Sequence, residues 1–320
     1  MNARPVSNPL NLAFVILSTA VPMVGQVSET VTHREAHQSV VVSVSAQVDD
    51  QGAPVEVQHR YVQIEDGLNY WDEESGQWAQ SRAEIELVKG VGVARRGPQQ
   101  VVFAPNLNDE EGSITLTAGE GVLLRSSLLA LTYYDAWSGR EVVLATVKDA
   151  IGQFLPPNRL VYRDAFEGLQ ADVVYTYRKS GLEQDVILLE CPPDPEDLGL
   201  LAETTRLEVF TEFFEAPNPE IRPRVLDRVE DAEIRAAMVE PDWVDEELDF
   251  GPFWMGAGRA LSLDEWETRR STDAGIEIGK RWVQQDGRTV LVESADYWLL
   301  ASQLTALPVR DGTPRRFRQA

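Results

Sequence analysis

Five carboxylates crowd eight positions in Asp242-Trp-Val-Asp-Glu-Glu-Leu-Asp249. A hard cation such as calcium takes about six to eight oxygen ligands, and Asp242, Asp245 and Glu246 are the donors here for a low-affinity site. The EF-hand ladder with its closing glutamate is absent, so the plain reading of the cluster is a solvated acidic face. A second group is aromatic. Trp71, Trp78 and Trp137 flank expected turns, where exposed rings can stack on sugars; in the strand patterns around Trp282 and Trp298, rings more commonly fill a core. Carboxylate pairs suited to glycoside hydrolysis arise by chance among 52 acidic residues, and their separation cannot be read from sequence.

Other chemistries lack their signatures. His33 and His37 stand four apart, but Glu35 does not directly follow the first histidine as in the zinc-protease order. His59 has no nucleophile at a recognisable spacing, and Gly-x-Ser-x-Gly does not occur. Lys89-Gly-Val-Gly-Val-Ala-Arg-Arg-Gly97 is rich in glycine, yet Gln99-Gln-Val-Val-Phe103 continues it as a strand. No helix N-terminus therefore faces a phosphate, and the segment reads as turns. Gly256-Ala-Gly-Arg259 fails in the same way. No catalytic residue, metal or cofactor is expected.

The elements that must position these groups follow a period of two. Ser39-Val-Val-Val-Ser-Val-Ser-Ala-Gln-Val48 is β-branched and ends at the turn Asp49-Asp-Gln-Gly52. Residues 128–134 and 141–147 form a hairpin across Asp135–Gly139, 172–177 and 184–189 across Lys179–Gly181, and 281–284 and 289–293 across Asp286-Gly287. One helix is expected near 224–239, between Pro223 and Pro241, with Val225, Val229, Ala232 and Ala236 on a stripe. The pattern predicts an all-β chain: an antiparallel β-sandwich, in one large or two packed β domains.

The three prolines of Cys191-Pro-Pro-Asp-Pro-Glu-Asp197 mark the expected boundary. The reading is an N-terminal β-sandwich domain over 26–191, a proline-rich linker at 192–197, a β-rich region with an acidic helical insertion over 198–309, and a basic tail at 310–320. Residues 1–25 have the order of an export signal: Arg4, then the short apolar run 10–17, then small residues with cleavage after Ala20 or Gly25. That run is too short to span a bilayer comfortably.

The 320 residues include 52 acidic and 29 basic side chains, a formal charge of -23. Phosphate-bearing partners would be repelled, which argues against nucleic acid and anionic membranes. Most of the excess lies between Glu183 and Phe250, with 21 acidic and 5 basic residues. The single cysteine, Cys191, precludes an intrachain disulfide.

Tyr162-Arg-Asp-Ala-Phe166, Gly168, Ala171-Asp-Val-Val-Tyr175 and Gly181-Leu-Glu-Gln-Asp-Val-Ile-Leu188 together resemble a segment that precedes the repeats of large secreted bacterial RHS/YD-repeat proteins of the wall-associated type. The resemblance covers about 27 residues and implies a secreted β-sandwich module of a larger surface assembly, with no catalytic residues. The expected function is therefore that of an exported, non-catalytic protein with structural or interaction duties at the cell surface, meeting a protein partner or other domains of one assembly. The alternative is a carbohydrate-binding or carbohydrate-active module using Trp71, Trp78 and Trp137.

Overall fold

The computed structural model describes residues 27–268, 275–309 and 318–319. The expected signal at 1–25 and most of the tail at 310–320 lie outside the described residues. The described residues fall into two compact units, one of 27–33 and 39–63, the other of 34–38 and those from 64 onward.

The first unit is built around the sheet β1 (Ser28–Glu35), β2 (Gln38–Val48) and β3 (Pro54–Ile64). The strand expected over 39–48 is present. Its turn closes on Asp49 Oδ1, which accepts from the backbone N–H of Gln51 (2.9 Å) and Ala53 (2.8 Å). β1 and β3 are exposed along almost their whole length.

The second unit opens with the hairpin β4 (Asn69–Asp72) and β5 (Gln77–Gln80). Four short strands follow: β6 (Glu86–Val88), β7 (Val91–Ala94), β8 (Gln100–Phe103) and β9 (Ile114–Ala118). They run as a meander into the long β10 (Val122–Asp135). The first half of β10 pairs with β9 and its second half with β11 (Arg140–Val147). A second sheet follows from β12 (Gly152–Leu155), β13 (Arg159–Tyr162), β15 (Ala171–Arg178) and β16 (Gly181–Leu188). Short β14 (Phe166–Glu167) pairs back to β11.

The chain returns to the first sheet as β17 (Thr205–Glu215), antiparallel to β10 along its length. Next come β18 (Glu220–Arg228), helix α1 (Ala232–Ala237), β19 (Asp242–Asp249) and β20 (Trp254–Met255), a separate three-stranded sheet. β21 (Gly258–Ala260), helix α2 (Leu263–Thr268), β22 (Ile276–Gln285), β23 (Arg288–Asp296) and helix α3 (Tyr297–Leu304) complete the body. β24 (Arg318–Gln319) pairs with Val142 and Val143 of β11.

The all-β reading holds: the sheets are antiparallel and helix is sparse. Alternation places Val101, Phe103, Leu116, Leu128, Leu131, Phe213 and Leu291 of the large sheet against Leu160, Tyr162, Val173, Tyr175 and Tyr177 of the four-stranded one in a single buried cluster. A smaller cluster packs Tyr133, Val142, Leu207 and Ala295 against Tyr297, Leu300 and Leu304 of α3. The hairpins expected at 135–139, 179–181 and 286–287 are all present. At the last, Asp286 and Gly287 both take positive φ (52° and 79°), as a two-residue hairpin turn with the twist of its strands requires.

Two expectations are corrected. The helix expected over 224–239 is a strand to Arg228 and a helix only over Ala232–Ala237. Cross-strand charge decides this. Arg222, Arg224 and Arg228 stand directly opposite Glu247, Asp245 and Asp242 in the β18–β19 ladder, and a helix would scatter those pairs. Pro223 is tolerated because β18 is an edge strand. Asp231 starts α1, its Oδ1 accepting from the N–H of Glu233 (2.9 Å) and Ile234 (3.0 Å). Nor does the proline stretch 192–197 separate two sandwiches. β10 before it and β17 after it are hydrogen-bonded neighbours, and the main buried cluster draws on both sides of it.

Candidate functional site

The candidate site lies where β19 comes up beside β22. The approach is close because position 279 is glycine: a Cβ there would stand 2.4 Å from Trp243 Nε1 and 2.7 Å from the Val244 carbonyl oxygen. Trp243 Nε1 instead donates across to Ser294 Oγ at 2.9 Å, within the interior. The backbone N–H of Trp282 donates to Glu246 Oε2 at 2.6 Å, so a side chain of β19 satisfies the β22 backbone where no strand ladder does.

This approach puts Asp245 on Lys280. Lys280 Nζ is in direct contact with Asp245 Oδ1, and the two residues are only 2% and 3% exposed. The other carboxylate oxygen, Oδ2, accepts from Arg224 Nη2 at 3.2 Å; Arg224 is itself half exposed and also pairs with Glu277 at 2.8 Å. Lys280 and Glu293 are directly opposite in the β22–β23 ladder and therefore leave the sheet on one face. Trp282 and Leu291 form the next pair on that face, and Val209 stands opposite Glu293 on β17. Trp282 packs on Phe213 and Phe250, with ring centroids 4.9 and 5.7 Å apart. Burial pushes the Glu293 carboxyl above its ordinary range; Lys280 pulls it back, and Asp185 and Asp245 push it further up. In such surroundings each isolated charge costs several kcal/mol, so the buried amine and acid are held against one another.

The opposite face of the same strands carries a second ionic group. Glu208 of β17, 1% exposed, accepts from Arg281 Nη2 at 3.2 Å. Arg281 Nη1 also holds Glu240 Oε2 at 3.0 Å, and Arg206 Nη1 holds the other Glu240 oxygen. Glu240 reaches this point because its own N–H donates to the Ala136 carbonyl at 3.0 Å, which lays the segment after α1 along the β10–β11 turn. Burial lifts Glu208 to about 7; Arg281 opposes that shift, and Glu141 and Glu240 add to it. Tyr134, whose ring lies under the Arg281 guanidinium at 5.6 Å, is raised to about 12, chiefly by burial.

Each residue singled out from the sequence has a definite place. Asp242, Asp245 and Glu246 do not converge on a common point: Asp242 is clamped by Arg235 and faces Arg228, Asp245 is held by Lys280 and Arg224, and Glu246 accepts a backbone N–H. Among the described residues no group of three histidine, cysteine or acidic side chains is arranged to hold a metal ion. Trp71 and Trp78 do come together, opposite each other on β4 and β5, with centroids 5.7 Å apart and rings at 79°. Trp137 belongs to the β10–β11 turn, where its carbonyl accepts from Val239 N–H at 3.2 Å. His33 and His59 lie on strands; His37, in the β1–β2 turn, accepts from Gly67 N–H at Nδ1 (3.1 Å). Lys89 and Gly90 form the β6–β7 turn, both at positive φ.

Lys280, Glu293 and Glu208 were missed by sequence reasoning, though the signal was there. In Ile276-Glu-Ile-Gly-Lys-Arg-Trp282 the alternation puts Lys280 on the face of Ile276, Ile278 and Trp282, and Glu293 sits likewise between Leu291 and Ala295. A charge at an inward position of a strand marks a buried polar site.

Compared with family models, curated proteins and solved structures, the chain matches none. Among the described residues no helix is long and apolar enough to cross a membrane.

Proposed function

We propose that this chain is an exported, non-catalytic structural or interaction protein, acting at the bacterial cell surface or within a larger secreted assembly. The observation that carries the reading is the β1–β2–β3 sheet. Its outer strands are exposed along nearly their whole length, and Val31, Val55, Tyr61 and Val62 are open to solvent. A long three-stranded sheet with apolar side chains in water gains little from folding by itself, and its edge strands offer unpaired backbone groups to another chain. Such an element is stabilised by a partner that covers it. The order of charge, apolar run and small residues at 1–25 supports export, and the RHS-like phrase supports membership of a larger assembly.

The residues of that phrase act in folding. Tyr162 Oη donates to the Ala104 carbonyl at 2.5 Å, and Asp172 accepts from Asp164 N–H at 2.8 Å and from Arg163 at 3.1 Å. At Gly168, φ is +108° and an added Cβ would stand 2.4 Å from the Leu144 carbonyl oxygen. These contacts support a scaffolding role for the phrase.

The test is fractionation of cells producing the full chain, with sequencing of the mature N-terminus. Recovery outside the cytoplasm, cut within residues 18–26, is expected; an uncut chain confined to the cytoplasm would overturn the export reading. Val55→Lys with Val62→Lys should abolish retention in the surface fraction while leaving the second unit folded. Unchanged retention would remove the sheet from its assigned role.

A further inference from the structure

We propose that Lys280 and Asp245 become joined by an intramolecular isopeptide bond, which the protein forms on itself with Glu293 passing the protons. Three features of the geometry meet. The amine and the carboxyl are in contact, on strands with no backbone ladder between them, 35 residues apart in the chain. Both are almost wholly shielded from water. A further acid, Glu293, leaves the sheet on the same face directly across from Lys280.

An ordinary buried ion pair would be satisfied by two partners. Here a second carboxylate, the half-buried Glu293, stands beside the same lysine, which is unfavourable for a purely structural pair and suited to acid–base work. Burial raises the Glu293 carboxyl, the direction that keeps a proton available on it. The reaction begins with a proton passing from Nζ to the Asp245 oxygen it touches, within an apolar shell that includes Trp282, Leu291, Phe213 and Phe250, and this leaves a nucleophilic amine against an uncharged acid.

The step balances within the protein. The Lys280 Nζ lone pair attacks Asp245 Cγ, and a C–N bond forms. Glu293 delivers a proton to the departing oxygen of Asp245 and accepts one from Nζ, so it ends as it began. The C–O bond breaks and one water leaves. Arg224, donating to Oδ2 at 3.2 Å, marks that oxygen as the one retained in the amide and steadies the negative charge it bears in the tetrahedral intermediate. No oxidant, metal or cofactor is consumed. Exclusion of water from the site then protects the amide from hydrolysis. The product ties the β18–β19 hairpin covalently to the large sheet, and the inference does not depend on where the protein acts.

The test is mass spectrometry of the denatured protein, followed by digestion. The natural chain is expected one water lighter than its sequence, yielding a branched peptide that contains Lys280 and Asp245 and resists trypsin after Lys280. Lys280→Ala and Asp245→Ala should have full mass, a reading that does not require them to fold. Glu293→Gln keeps both partners; it should fold by circular dichroism yet carry the link in less than about a tenth of the molecules, a residue coming from unassisted reaction, as general acid–base help is worth about 10²–10⁴ in rate. Glu293→Asp, which keeps the acid, should restore much of it. A natural chain at full mass, cleaved by trypsin after Lys280, would overturn the bond. Full linkage in a folded Glu293→Gln would overturn the role of Glu293.

Discussion

Arg281 holds one carboxylate from the sheet and one from the segment laid over it: Glu208 at 3.2 Å and Glu240 at 3.0 Å. Glu208 is so enclosed that burial outweighs both arginines, and its carboxyl rises from an ordinary 4.5 to about 7. An acid that is harder to ionise folded than unfolded stabilises the fold fully below its unfolded value. That contribution is lost as the pH rises through the folded value. Two and a half pH units correspond to about 3 kcal/mol. Between pH 5 and pH 8, urea unfolding of the natural protein should therefore lose on the order of 3 kcal/mol more than that of Glu208→Gln. Equal pH dependence in the two proteins would show that Glu208 ionises normally.

Gly279→Ala should disrupt the approach of β19. The new methyl would meet Trp243 Nε1 at 2.4 Å and a backbone oxygen at 2.7 Å, and the latter cannot rotate away. Overpacking of this kind costs about 1–3 kcal/mol. Thermal unfolding reads it, and a variant as stable as the natural protein would mean that the strands separate without penalty.

Asp135 is buried at the end of β10 and accepts three hydrogen bonds. Its Oδ1 takes Thr204 Oγ1 at 2.6 Å and Trp137 N–H at 3.0 Å, and its Oδ2 takes Ser138 Oγ at 2.6 Å. Asp135→Ala leaves those donors without a shared acceptor and should cost about 2–3 kcal/mol. Asp135→Asn keeps the carbonyl, and Ser138 Oγ can accept from the new amide, so about 1 kcal/mol is expected. Denaturant midpoints of the two variants test this ordering, and equal losses would contradict it.

Strands and hairpins were the legible part of this chain. Alternation and Asp-Gly or Ser-Gly turns are local, and the hairpins at Gly139, Gly181 and Gly287 formed where those residues stand. The error at 224–239 has a physical source. An apolar stripe at helical spacing is a local signal, but the charges of Arg222, Arg224 and Arg228 gain their meaning only opposite β19, whose register is a tertiary fact. The linker reading failed similarly: prolines at 192–195 forbid regular structure locally but say nothing about β17 returning to pair with β10. The ionic site was half legible. An inward Lys280 can be read from alternation, whereas its contact with Asp245 depends on how closely β19 passes Gly279.

Trp71 and Trp78 offer the last test, because it separates a folding role from a binding one. The rings meet edge to face at 5.7 Å, an arrangement in which the positive edge of one ring lies on the negative face of the other. Two rings at 79° do not form a flat platform, and Trp71, 45% exposed, is the more open of the two beside the half-buried Trp78. The pair should instead hold the β4–β5 hairpin. A double-mutant cycle with Trp71→Ala and Trp78→Ala should give a coupling of about 0.5–1.5 kcal/mol in local opening, read by hydrogen exchange of the Asn69–Gln80 pairing. Under a purely sugar-binding role the two substitutions would add with no coupling, and oligosaccharide titration of the natural protein would protect those same amides.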